Sequence, residues 1–424
     1  MTIRAVVEKL APTGEGLVRT NEGVGLVDGA LAGEDVEIEV VRTSRKIWRG
    51  RALAVHRPSS DRLTGGHAEG CPACDWAHFE PGAARAAKRE LFLETMSRIG
   101  KITAGELGPL PVEASEAGYR LRSRFHAERR QGAGAVLVGG FVPGTHRVEP
   151  LDGCEALSPS MRALLPRLSE ALAPFPAPVE VATLESLEAD RRLARVTASG
   201  DASEGAAIAR ALAPLFDGVR VVDARGFLRH RMGQPRLWIT VDGRDCPASP
   251  ETFFQANRFL VSPLAAHVRD LGSAVPPGRA LDAFGGSGFF AGGLLAAGHE
   301  VISVEGHAEA VREARLAHDR SSGRDRWRIE QASVAAFVRS DSRREDIVVV
   351  DPPRAGLGAP LARALAARAR RRLIYVSCDP ATLARDLAAI RPEGWEIVSA
   401  RLFDLFAFTH RVESVIALER VRDE

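Results

Sequence analysis

The sequence predicts an α/β protein in three parts: a small β-barrel over residues 1–57, a central α+β region over 58–275, and a doubly wound, Rossmann-like domain over 276–424. Three observations lead there. Ile347-Val348-Val349-Val350 ends at Asp351-Pro352-Pro353-Arg354, and after an Ala/Arg-rich spacer a second apolar run ends at Ser377-Cys378-Asp379-Pro380. That is the pattern of two buried parallel strands joined by a helix. Ala280-Leu281-Asp282-Ala283 runs into Phe284-Gly285-Gly286-Ser287-Gly288, a strand ending in a glycine-rich turn. In the first 57 residues, short alternating runs recur between Gly14-Glu15-Gly16, Asp28-Gly29 and Gly33-Glu34-Asp35, the punctuation of a compact barrel.

Composition narrows the function classes. A chain of 424 residues, 45% hydrophobic, can fill two or three cores. The net charge is only +2, but the basic residues are nearly all arginine. This usage suits phosphate and base recognition, and a GC-rich genome produces it equally. No apolar run reaches the roughly eighteen residues of a membrane helix, and residues 1–9 lack a signal-peptide core. The chain is therefore expected in the cytoplasm, with no membrane partner. Five cysteines, an odd number without an export signal, favour metal or catalytic use over a disulfide framework.

Taken in order, the barrel's runs include Val36-Glu37-Ile38-Glu39-Val40-Val41 and lead into a basic stretch over 42–51. Next comes Cys71-Pro72-Ala73-Cys74-Asp75-Trp76-Ala77-His78. A Cys-x-x-Cys pair sets two thiolates on one turn, which suits iron or zinc, but a whole site needs four ligands. Cys154 is the natural third; His67 and His78 are nearby, although loop histidines in a basic segment are commonly solvated. Pro81 opens a helix to about residue 99. Tyr119-Arg120-Leu121-Arg122-Ser123-Arg124-Phe125 reads as a strand with arginines on one face, and with Tyr119 and Phe125 able to stack bases. A solvated face over two core aromatics is the competing reading. Further strand-helix-strand passages near 179–196 and 219–241 give the region its α+β character.

In the last third, a helix over about 289–297 follows the glycine turn, and Val301-Ile302-Ser303-Val304 then ends at Glu305. An acid at that point, about twenty residues after the glycines, is placed to take the hydroxyls of a ribose. Ligands of open α/β sheets bind beyond the carboxyl ends of the strands, so Asp351 and Cys378 face the same ligand. The turn is Gly-Gly-Ser-Gly, not Gly-x-Gly-x-x-Gly, and Asp-Pro-Pro lies two strands on, which favours S-adenosylmethionine over a dinucleotide.

Phe253-Phe254-Gln255-Ala256-Asn257, Asp282 to Gly288, Val350-Asp351-Pro352-Pro353-Arg354, Tyr375-Val376-Ser377-Cys378-Asp379-Pro380 and Val412-Glu413-Ser414-Val415 stand in the order and spacing of one family. The chain resembles the RNA uracil-5-methyltransferases. Ala11-Pro12-Thr13-Gly14-Glu15-Gly16 and Leu31-Ala32-Gly33-Glu34-Asp35-Val36 resemble a TRAM domain, an RNA-binding barrel, against a generic oligonucleotide-binding barrel. With the Cys-x-x-Cys loop and Cys154, the resemblance covers nearly the whole chain and points to the branch acting on 23S ribosomal RNA. It implies a nucleophile at Cys378, a general base at Glu413, and cofactor contacts at Gln255, Phe284, Glu305 and Asp351. It further implies Cys71, Cys74 and Cys154 as ligands toward a 4Fe-4S cluster that Gly65 leaves one cysteine short, and RNA as partner, ribosomal ahead of transfer. A monomer is expected.

The chemistry of uracil agrees with these roles. Carbon 5 reacts with a methyl sulfonium only once the ring is electron-rich, and a thiolate adding to carbon 6 makes it so. Cys378 suits this if its pKa is lowered. Loss of the carbon-5 proton then needs a carboxylate, and Glu413 stands ahead of an apolar strand. The base must be flipped out of its stack, and Arg354, with Tyr119 and Arg120, is expected to hold the RNA. Three positions depart from the family pattern: Gly65 stands where iron-sulfur members have cysteine, Phe289 where asparagine is usual, and Gly285 where cysteine is usual. An amino-group methyltransferase would also use an acidic-Pro-Pro turn but would need no cysteine.

Overall fold

The computed structural model describes residues 1–421 apart from 22, 45–46, 64–73, 130–135, 143–144 and 177–178. The first six strands form one sheet. Thr2–Val6 pairs antiparallel with Asp35–Ser44, and the long strand Ile47–Arg57 joins Asp35–Ser44 to Gly23–Asp28. Val7, Val18, Val27, Val36, Ile38 and Trp48 fill a single core, as the alternating pattern requires. Gly25 is needed there because a Cβ would lie 2.3 Å from the Trp48 ring. Two side chains leave this core: Leu10 and Leu31 pack with Trp76, Phe79 and Ala84. The buried Glu34 carboxylate accepts from the Leu31 N–H at 2.7 Å, the Ser59 N–H at 3.1 Å and Arg62 Nε at 2.6 Å.

The central region is a seven-stranded sheet in the spatial order Val148–Pro150, Val136–Phe141, Arg122–Arg129, Val179–Glu185, Arg192–Thr197, Gly218–Val222, Leu228–Gly233. Helices Pro159–Leu172 and Ala202–Leu212 cover one face through Leu164, Leu168, Ile208 and Leu212. The strand expected from Tyr119 starts at Arg122, and Tyr119 and Phe125 are both fully buried. Base stacking by these two rings is therefore corrected: the core takes both, and the Tyr119 hydroxyl donates to the Ala407 carbonyl at 3.1 Å.

The third part is an eight-stranded sheet ordered Trp327–Gln331, Glu300–Glu305, Arg279–Ala283, Glu345–Val350, Ala369–Ser377, Glu413–Arg420, Trp395–Phe403, Val112–Glu113. The first five are parallel, and Glu413–Arg420 runs antiparallel to both its neighbours. Apolar runs on Glu345–Val350 and Ala369–Ser377 are buried on both faces by helices, the reason they read as continuous rather than alternating. Packing draws in segments from earlier in the chain. Phe92, Met96, Ile102 and Leu107 share one core with Leu281, Val348 and Leu373, while Leu264 and Val268 of helix Val261–Ser273 line the other. The helix expected over 81–99 runs Pro81–Thr95 and widens into a π turn at Met96–Gly100. Among the described residues no helix is long and apolar enough to cross a membrane.

Candidate active site

Strand order reverses between Arg279–Ala283 and Glu345–Val350, the point where an open sheet leaves a crevice at its carboxyl edge. Glu305 ends its strand at that edge, and Phe284, Asp351 and Cys378 each directly follow one. Phe284 adopts a left-handed conformation, φ 65°, rare for a side chain of this size. This turns the chain so that the Gly286 N–H donates to Glu305 Oε2 at 3.1 Å, while Glu305 Oε1 accepts from the His307 N–H at 2.6 Å. Gly288 is demanded twice, by φ 87° and by the Trp327 ring lying 2.5 Å from any Cβ.

Sheet register brings the two proposed reacting groups together. Ser377 and Ser414 are the last antiparallel pair between their strands, so the next step in register sets Cys378 opposite Glu413. The Ser414 hydroxyl fastens this junction by donating to the Ser377 carbonyl at 3.1 Å. Beyond Cys378, Asp379 caps helix Pro380–Ile390, accepting from the Thr382 N–H at 2.9 Å. The Thr382 hydroxyl donates in turn to the Arg354 carbonyl at 3.2 Å, holding the Asp-Pro-Pro-Arg turn against the helix start.

Acids dominate the cluster. Burial pushes the Asp282 carboxyl up to about 7, helped by Glu305, and one of its oxygens has no hydrogen-bond partner among the described residues. Asp351 is raised by burial and by Asp282. Glu413 is raised well above the carboxylate range by burial and then by Asp351, with Arg354 opposing. The Cys378 thiol is pushed up to about 11 by burial, Glu413 and Asp351. A lowered thiol was the expectation; burial, with Glu413 and Asp351 adding to it, raises the thiol instead. The orphaned Asp282 oxygen, the open space at Gly286 and the surplus of buried acids fit a cationic, adenosine-bearing ligand.

These features meet a wider likeness. A family model described as tRNA (Uracil-5-)-methyltransferase matches residues 329–421. The chain is 30% identical to the 23S rRNA (uracil(1939)-C(5))-methyltransferase RlmD of Thiobacillus denitrificans over 96% of this chain and 97% of that protein. It belongs to the RNA uracil-5-methyltransferases. The Halomonas elongata protein of the same description is 31% identical over 98% of this methyltransferase and 89% of its own length. Among solved structures, the Pyrococcus abyssi tRNA (uracil-54, C5)-methyltransferase in complex with S-adenosyl-L-homocysteine shares the fold, with TM-score 0.77 at 22% identity, covering 98% and 99% of the two chains.

The methyltransferase distributes its other predicted residues unevenly. Gln255 is buried between strand Arg244–Ala248 and helix Val261–Ser273. Phe289, in place of the usual asparagine, packs edge-on against Phe254 with centroids 5.9 Å apart, so an apolar contact fills that position. Arg354 is exposed near the thiol, whereas Arg120 is partly buried, its guanidinium 5.7 Å from the Tyr119 ring and within electrostatic reach of Cys74 and Cys154. Arg120 thus belongs to the interior, not to an RNA-facing strand. Cys71, Gly65 and His67 lie outside the described residues. Cys74 and Cys154 are buried in one core, and the described residues hold no group of three metal-ligating side chains. A 4Fe-4S cluster takes four ligands, of which the described residues hold only Cys74 and Cys154 from the expected set.

Sequence reasoning missed the strap that carries Glu413. Lys88 donates to Asp404 and to the Phe406 carbonyl, Tyr119 to Ala407, the Trp76 N–H to the Phe408 carbonyl, and His410 pairs with Asp75. Asn257 adds a tie of 3.0 Å to the Leu405 carbonyl. A buried lysine in an arginine-dominated chain was the one available signal.

Proposed function

We propose that the enzyme methylates carbon 5 of a uridine in 23S ribosomal RNA, using S-adenosylmethionine, through a covalent adduct on Cys378. The observation that carries this is the register pairing of Cys378 with Glu413 beside the acidic crevice. Phe284, Glu305, Asp351 and Gln255 would hold the cofactor, with Glu305 on the ribose. When bound, it supplies an electrophilic methyl group on a cationic sulfur, whose charge offsets the surrounding carboxylates. Cys378 releases its proton to solvent and, as the thiolate, bonds to carbon 6, sending the ring's π electrons toward carbon 5 and oxygen 4; carbon 5 would then take the methyl group, the electron pair of the methyl–sulfur bond staying on sulfur. Glu413 then takes the carbon-5 proton, the sulfur–carbon bond breaks, and the ring double bond returns as the thiolate leaves. Arg354, close enough to act electrostatically on the same thiol, would hold the flipped nucleotide. The N-terminal sheet is read as a TRAM-like RNA-binding barrel.

Ribosomal RNA is favoured because relatives named for 23S rRNA match at 30–31% identity over nearly the full length. Transfer RNA is the second reading, supported by the family model's description and by the Pyrococcus abyssi structure. Mapping 5-methyluridine in ribosomal and transfer RNA from cells with and without the gene tests both. Loss of the mark from transfer RNA alone would overturn the ribosomal assignment.

A further inference from the structure

The face of the seven-stranded sheet turned away from helices Pro159–Leu172 and Ala202–Leu212 carries a row of arginines that the catalytic chemistry does not use. Arg124, Ala182, Arg195, Arg220 and Arg231 are successive cross-strand partners on five neighbouring strands, so their side chains leave the same face. One residue along, the partners Phe125, Val181, Val196 and Val221 fill the core on the other face. At a strand spacing of about 4.8 Å the row spans about 19 Å. Like charges set directly opposite each other in a sheet repel, and Arg195, Arg220 and Arg231 occupy three adjacent strands. Acids offset only part of this. Glu180 lies 3.6 Å from Arg124 and Glu251 3.4 Å from Arg220, while Arg195 donates to the Thr197 hydroxyl and, like Arg231, makes no ion pair among the described residues.

The row is one wall of an open cleft whose far wall is Pro250, Glu251, His307 and Glu309. His307 and Glu309 follow Glu305, so the cleft opens at the sheet edge that bears the catalytic cluster. At its other end the turn before Leu228–Gly233 presents Phe227, 64% exposed. Asp223 holds that turn rigid, accepting from the Arg225 and Phe227 N–H groups at 2.9 Å each.

We infer that this face binds the phosphodiester backbone of single-stranded RNA, the arginines tracking successive phosphates and Phe227 stacking on an unpaired base. The inference rests on the RNA reading proposed above. A regular line of like charge suits a polyanion better than a small anion, which would satisfy one arginine and leave the rest repelling. An exposed ring needs a base already free of its stack, which a single strand offers.

The test titrates a labelled oligouridylate against the full chain over a salt series. Arg195→Gln, Arg220→Gln and Arg231→Gln are compared singly and together, with Arg220→Lys and Phe227→Ala. Each lost phosphate contact should flatten the slope of log affinity against log salt by about 0.7, and Arg220→Lys should keep it. Phe227→Ala should weaken binding about tenfold with the slope unchanged. Unaltered S-adenosylmethionine affinity marks each variant as folded. Wild-type slopes in the triple variant overturn the inference, as does a duplex competitor that displaces the probe better than a single strand does. 5-Methyluridine is measured separately by mass spectrometry. Its absence with wild-type enzyme overturns the proposed function, whereas variants with wild-type slopes that still methylate overturn the inference alone.

Discussion

Cys378 and Glu413 are next in register to each other, and in the unliganded protein burial together with neighbouring acids raises both groups. Their roles separate by step. Cys378→Ala should bind cofactor and RNA yet form no adduct, while Glu413→Gln should accumulate a methylated protein–RNA adduct that a denaturing gel retains. A Cys378→Ala enzyme that still methylates would sink the mechanism. The carboxyls also predict a pH dependence. Asp282 has a folded pKa raised to about 7, so the unliganded protein loses stability as pH rises from about 4 toward 7. A cationic ligand prefers the ionised acid, so its affinity should fall as pH drops below 7, by up to about tenfold per unit for one linked proton. Calorimetry giving equal affinities at pH 6 and pH 8 would remove these acids from the ligand's surroundings. Glu305→Ala should cost about 1–3 kcal/mol of cofactor binding. Positions such as Asp351, Glu305 and Cys378 were legible because strand ends are punctuated in sequence. The raised pKa values of Asp351 and Cys378 were not, since they depend on burial by segments far away in the chain.

At the scale of elements, the link Phe253 to Asn257 illustrates what a motif conceals. Asn257 donates to the Ser115 hydroxyl at 2.8 Å and to Leu405, and accepts from the Phe259 and Leu260 N–H groups at 3.0 Å. Asn257→Ala should therefore destabilise the protein by about 2–4 kcal/mol, measured by denaturant unfolding, with Gln255 displaced as a consequence. An unchanged midpoint would show the tie to be dispensable. The strand at Arg122–Arg129 was misjudged for a related reason. Alternation of arginine with apolar residues identifies two faces but not where the strand starts, and Tyr119 precedes it as a buried plug.

Across the whole molecule, the N-terminal sheet is welded on by Glu34. Burial disfavours its charge, but Arg62 and the Leu31 and Ser59 N–H groups outweigh this and hold its pKa below the usual range. Its stabilisation is thus present above the unfolded pKa and lost as pH falls through the lower folded value. Glu34→Gln should lower stability at pH 7 by about 3 kcal/mol, since it strips a buried partner from Arg62, and the gap to wild type should narrow as pH falls through the lowered folded value. A gap independent of pH would contradict the ion-pair account.

The strap ahead of Glu413 gives the molecule an unusual pedigree of dependence. Asp404 is bonded to a lysine 316 residues earlier, and Ala407 to a tyrosine 288 residues earlier. An engineer wishing to graft this catalytic sheet onto another RNA-binding front would find no clean seam. The exchangeable cassette is the sheet together with residues 75–88 and Tyr119, and a hybrid lacking them would keep Cys378 in place while Glu413 swung loose.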